Sequence, residues 1–125
     1  MSLTHRNPLS RHLRRLVLVA LIVPLPLHAF IEAQPPVHFT DGWNAYQAGD
    51  FQAAMTIWTR LAEQGHINAQ VNLGFMHDHG TGTPRNHELA AHWYRAAALQ
   101  NSAAGQYNLS LLITEGRAKP LTGRS

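Results

Sequence analysis

Apolar residues in the middle of the chain recur at steps of three and four, the period of a helix with one buried face. From Phe51 onward Ala54, Ile57, Trp58, Leu61 and Ala62 form one such stripe, predicting a helix to about Gln64. Leu89, Ala90, Trp93, Tyr94 and Ala97 form a second stripe, within a helix over Glu88–Ala98. Between them the run Ala69–Met76 predicts another helix, with Gly65 ending the previous one and Asn68 as its cap, and His79–Arg85 is a glycine-rich loop. Upstream, Thr40 or Asp41 caps a first helix reaching about Ala48, and Gly49-Asp50 makes the turn. Ser102–Thr114, with Tyr107, Leu109, Leu111, Leu112 and Ile113, is the fifth helix. Large rings alternating with alanines suit closely packed helices, because small residues admit a neighbouring backbone and the ring fills the remaining gap.

The helices repeat. At an offset of 36 residues Gln70 returns as Gln106, Asn72-Leu73 as Asn108-Leu109, Ala54 as Ala90, Ala62 as Ala98, Gln64 as Gln100, Gly80 as Gly116 and Pro84 as Pro120. Self-similarity at such a period marks a stacked helical array. Within one period Ala69, Asn72-Leu73-Gly74, Gly80-x-Gly82-x-Pro84, Ala90, Trp93-Tyr94 and Ala97-Ala98 resemble the Sel1-like repeat, a relative of the tetratricopeptide repeat. Departures are His77 at a usually aromatic position, Thr83 for a valine and Asn86 for an aspartate. The resemblance covers one full unit, most of a preceding one and the first helix of a following one. It implies an all-α fold, an α/α helical-hairpin solenoid of about five helices, used as an interaction scaffold rather than a catalyst. The expected layout is a leader over 1–33, a stiff linker over 34–38, the repeat domain over 39–116 and a tail over 117–125. The first unit is shorter by four residues, because Gly49-Asp50 replaces the longer loop.

Each first helix of a unit carries a second apolar stripe. Val71 and Phe75 lie on it, extended by polar Asp78; Tyr107 and Leu111 are its counterparts in the third unit, and Phe39, Trp43 and Tyr46 in the first. In tetratricopeptide-like arrays this face lines the concave groove, so the resemblance implies a partner-binding groove of Trp43, Tyr46, Phe75, Asp78 and Tyr107. The same stripe also reads as hairpin-on-hairpin packing. On the groove reading, Tyr46 should contribute little to stability.

Charge removes one partner class. The chain carries a net +3, but Arg6, Arg11, Arg14 and Arg15 all precede residue 16, and beyond Ala33 six basic residues face six acidic ones. The electrostatic footprint of a nucleic-acid binder is therefore absent. Residues 1–15 are cationic, Leu16–Leu27 is an apolar run of 12, and Leu27-His-Ala29 or Ile31-Glu-Ala33 offers a small-residue cleavage triplet. That is the layout of a secretory signal peptide, and the run falls short of the about 20 residues that span a bilayer. The expected location is periplasmic or secreted; with no cysteine, neither disulfides nor an acylated-cysteine anchor is available.

No catalytic or cofactor constellation emerges. The histidines after the leader stand at 38, 66, 77, 79, 87 and 92; His77 and His79 are two apart and His87 and His92 five apart, so no pair has the i, i+4 spacing that one helix offers a metal. Gly80 and Gly82 lack the lysine and strand of a phosphate loop and suit a tight turn with positive φ. The expectations are thus no enzyme, no cofactor and no metal, with either of two roles. One is a module binding a peptide or protein partner in its groove. The other is an assembly subunit that docks or forms a homodimer through the half-unit around Leu111–Leu121. Export predicts loss of the leader after Ala29 or Ala33, and mass spectrometry of the purified envelope protein should show a mature N-terminus there rather than at Met1.

Overall fold

The computed structural model describes residues 34–120, so the expected leader over 1–33, both cleavage triplets and residues 121–125 of the expected tail lie outside the described residues. Of these, residues 37–120 belong to one compact unit. It contains α1 (Phe39–Gln47), α2 (Phe51–Glu63), α3 (Ile67–His79), α4 (His87–Leu99) and α5 (Ala103–Thr114), and no strand occurs among the described residues. Each helix packs on its neighbour in sequence, which is the all-α hairpin array that the hydrophobic spacing predicts.

The helix starts follow the repeat more closely than the residue identities do. Asp50 accepts a hydrogen bond from the Ala53 N–H at 3.0 Å, and 36 residues later Asn86 accepts one from Leu89 at 3.0 Å. His66 Nδ1 accepts from the Ala69 N–H at 3.3 Å, and 36 residues later Ser102 accepts from Gly105 at 3.1 Å. These side chains satisfy backbone donors that a helix leaves free at its first turn. Two expected caps are corrected. Asn68 is not the cap of α3, because the chain leaves α2 through Gly65 at φ 90 and is extended at His66. Neither Thr40 nor Asp41 caps α1: the helix begins after His38, and Asp41 sits in its first turn, accepting from the His38 N–H at 2.9 Å.

Two rings 36 residues apart hold the hairpins together. Trp58 on α2 and Tyr94 on α4 are each 1% exposed. Each lies on a glycine of the preceding helix: a Cβ on Gly42 would stand 2.3 Å from the Trp58 indole nitrogen, and one on Gly74 2.5 Å from the Tyr94 ring. The bare backbone lets the helices approach while the ring fills the space that two side chains would otherwise contest. Trp58 also donates to the Phe39 carbonyl at 3.3 Å. Around these rings the alanines Ala54, Ala62, Ala69, Ala90, Ala91 and Ala97 are buried. Leu89, expected on the buried stripe of α4, is instead 43% exposed; the buried face of that helix runs through Ala90, Ala91, Tyr94 and Ala97. At the far ends of the helices, buried Gln70 donates to the Ala62 carbonyl at 3.1 Å, and Gln100 donates to Gln70 at 2.9 Å and to the Gly65 carbonyl at 3.0 Å.

Packing continues on either side of the five helices. Val37 packs against the first core cluster and His38 starts α1. After α5 the chain turns back, with the Arg117 and Ala118 N–H groups both donating to the Leu112 carbonyl, and Ala118 is buried against Ala90, Tyr94 and Leu109. There the Arg117 guanidinium donates to Asp78, whose carboxylate also accepts from His87 Nδ1 at 3.0 Å. Since a carboxylate only accepts, His87 carries its proton on Nδ1. One buried carboxylate thus ties the end of α3 to the start of α4 and to the segment after α5.

Replacing Trp58 with alanine should destabilise the unit by about 3–5 kcal/mol in urea unfolding, the cost of deleting a large ring from a core. Arg117→Ala should cost about 1.5–3 kcal/mol, as for a lost hydrogen bond to a charged group, and should raise amide exchange first in α5.

Candidate partner-binding recess

Three of the five expected groove residues, Trp43, Tyr46 and Phe75, line one recess; on α1, Phe39, Trp43 and Tyr46 recur at four and three residues and collar Trp58. The ring centroids lie 5.8 Å (Phe39), 6.5 Å (Trp43) and 5.7 Å (Tyr46) from that of Trp58. Trp43 and Tyr46 are nearly parallel, 9° apart at 5.9 Å. Facing them on α3 is the row Asn68, Val71, Asn72 and Phe75. The space between holds two recesses that share Trp43 and Asn72. The first, about 340 Å³, is completed by Phe39, Thr40, Asn68, Val71 and Ala104. The second, about 260 Å³, is completed by Tyr46, Trp58 and Phe75.

The lining residues differ in how far they are committed to the fold. Trp43 and Phe75 keep 46% and 41% of their surface exposed. Tyr46 is half-buried and packs on Trp58 and, edge-on at 5.2 Å, on Phe51. Against the expectation that Tyr46 contributes little to stability stands its packing: the ring is partly buried against the first core cluster while also forming part of the recess wall. In the first unit, then, the second stripe serves packing and recess together.

Asp78 and Tyr107 are not part of either lining. Asp78 is 9% exposed and spent on Arg117 and His87, one turn beyond Phe75 and turned toward the start of α4. Its counterpart in the first unit is Tyr46, and the counterpart of His87 is Phe51, so an aromatic pair in one hairpin is replaced by a charged pair in the next. Tyr107 is 66% exposed on α5, beyond Ala104, where the lining ends. Conversely, Asn72 went unassigned in the sequence, although its return as Asn108 marks a fixed position of the repeat. Asn68, one turn earlier on the same face, had no such signal.

None of the residues lining the two recesses carries a charged side chain, and they offer a largely apolar, aromatic floor with the amides of Asn68 and Asn72 and the hydroxyls of Thr40 and Tyr46 as polar groups. Perturbed titratable groups lie elsewhere. Burial pushes the His77 pKa down, and its Nδ1 is buried without a partner. Burial, and after it the charge of Asp78, raises the Tyr94 phenol well above its ordinary value. Among the described residues no three His, Cys, Asp or Glu side chains gather as metal ligands would, and no helix is long and apolar enough to cross a membrane.

A family model of the Sel1 repeat matches residues 67–102, which run from the start of α3 to the cap of α5. The chain is similar to mouse (Mus musculus) protein sel-1 homolog 2, at 36% identity over 67 residues, 53% of this chain and 10% of the relative. It is also similar to the Arabidopsis thaliana ERAD-associated E3 ubiquitin-protein ligase component HRD3A, at 32% over 69 residues, 55% of this chain and 10% of the relative. A third relative is rat (Rattus norvegicus) DAP3-binding cell death enhancer 1, at 38% over 45 residues, 36% of this chain and 9% of the relative. The chain thus spans about a tenth of the length of the curated relatives it matches. No solved structure matches it. The hairpin of α3 and α4, with its Asn72-Leu73-Gly74 run and its ring on glycine, is the matched unit, and the chain accordingly carries a Sel1 repeat at residues 67–102 within an all-α helical-hairpin array.

Proposed function

We propose that the array is a non-catalytic protein-interaction module of the cell envelope, which binds a peptide or protein partner in the recess between α1 and α3. The observation that carries this reading is the pair of solvent-facing rings, Trp43 and Phe75, across a recess whose lining is uncharged. Large aromatic rings half in contact with solvent and half supported from below are what interfaces use as anchors, since they bring much apolar area with little entropy to lose. The relatives' names agree in kind: one is a component of a ligase, another a DAP3-binding protein. The envelope location rests on the cationic, apolar and small-residue order of residues 1–33.

Phe75 is the cleanest probe, because its ring stacks at 4.1 Å on the exposed ring of His79 and not on the core. Phe75→Ala should keep the melting temperature within a few degrees, as a change of about 1 kcal/mol or less does in a domain of this size. It should weaken capture of the partner from envelope extract by about tenfold or more, as loss of an anchor does. Tyr46→Ala should lower stability and capture together. Full capture by the Phe75 variant would remove the recess from the binding surface.

A further inference from the structure

We propose that His77 makes the junction of α3 and α4 an acid-sensitive latch, closed while its ring is neutral and loosened when the ring takes up a second proton. This goes beyond the partner-binding reading and does not depend on it. The position belongs to the core in the other units too: Ala45, 32 residues earlier, packs against the first core cluster, and Ile113, 36 residues later, packs against the second. Only the second unit places a titratable side chain there, and it leaves that side chain 9% exposed. A neutral imidazole can keep its one proton on Nε2 and leave only a lone pair at Nδ1, the nitrogen that is buried without a partner. An imidazolium carries an N–H on both nitrogens, so the second proton buries a charge together with a donor that has no acceptor.

The surroundings decide the sign. His77 stands three residues beyond Gly74, the seat of the Tyr94 ring, and so lies on the edge of α3 that meets α4. The titratable and charged groups around that edge are Asp78 and His79 beside it, His87 and Tyr94 on α4, and Arg117 from the segment after α5. The Asp78 carboxylate and the C-terminal end of α3 both favour a proton on the ring. Asp78 is already paired with Arg117 and His87, however, and burial prevails, holding the His77 pKa below its ordinary 6.5. A lowered value means that the unfolded chain binds the proton more readily than the folded one. The stability that the neutral ring contributes is therefore present in full well above pH 6.5 and is lost progressively as the pH falls below it toward the folded value.

The loosening is local, because the links between α3 and α4 meet at this point. The His77 carbonyl accepts from the Asn86 N–H at 2.8 Å, and the Asn86 side chain caps α4 through the Leu89 N–H. The next residue, Asp78, holds His87 and Arg117. Displacing the ring disturbs both the carbonyl that seats the cap of α4 and the carboxylate that ties down the segment after α5. The α1–α2 hairpin, held by Trp58, has no share in these bonds.

The test is urea unfolding of the full chain at about pH 7.5 and about pH 5.5, beside His77→Phe and His77→Gln, with an NMR titration of the His77 ring and amide-exchange protection factors at both values. One histidine can shift the unfolding equilibrium by at most about tenfold across that interval. The parent chain should lose stability by a factor of roughly three to ten more than either variant does. The His77 ring should titrate with its midpoint below 6.5, and protection at the Asn86 and Arg117 amides should fall before that in α2. Variants that keep the full pH dependence of the parent overturn the proposal, as does a midpoint at or above 6.5. Loss of protection that is uniform over the five helices overturns the latch. The ring titration and the exchange need only the parent chain, so they decide the matter even where a variant fails to fold.

Discussion

A large ring seated on a glycine of the neighbouring helix is the contact on which the rest of the fold depends. Trp58 over Gly42 and Tyr94 over Gly74 occur once in each hairpin, and in both cases any side chain on the glycine would occupy the ring's own space. The contact fixes how near the two helices come, and it is the near approach that makes alanines sufficient to fill the rest of the core. A domain of this size has little apolar surface to bury, so a core made of two large rings and many small residues leaves its stability concentrated in few positions.

The recess follows from the same contact. Because Trp58 lies under Gly42, the residues on either side of that glycine, Phe39, Trp43 and Tyr46, surround the indole and are supported by it from below. Support on one face leaves the other face of Trp43 free toward α3, where Asn72 and Phe75 oppose it. A binding surface that rests directly on the core ring has an advantage and a cost. Its rings are held in place before a partner arrives, which lowers the entropy lost on binding, but a change at Tyr46 affects fold and surface together.

The second hairpin uses the equivalent positions differently. Where the first unit sets Tyr46 against Phe51, the second sets Asp78 against His87, and Arg117 from the third unit completes the pairing. A buried carboxylate is costly unless paired and hydrogen-bonded, and both partners come from other parts of the chain. The result is a contact that forms only when α3, α4 and the segment after α5 are in register, a specificity that an aromatic pair would not impose. Asp78 and His87 thus lie outside the recess lining, while their pairing with Arg117 continues the array.

Sequence alone determined the number and order of the helices, because burying one face of a helix forces the three- and four-residue spacing seen from Ala54 to Ala97, and stacking equal hairpins forces the period of 36 residues. It also singled out Trp43, Tyr46 and Phe75, since a second stripe on one helix must face something. What lies opposite each side chain was decided by tertiary structure. Asp78 shares a stripe with Phe75 in sequence, yet its partner Arg117 is 39 residues away and reaches it only because the chain folds back after α5. Tyr107 sits on the matching stripe of α5 but beyond Ala104, where the lining stops. The starts of α1 and α3 likewise depended on the turn before them rather than on the nearest good capping residue. Periodicity is a local consequence of burial and can be read along one dimension; which face meets which neighbour is a property of the assembled helices, and only their packing settles it.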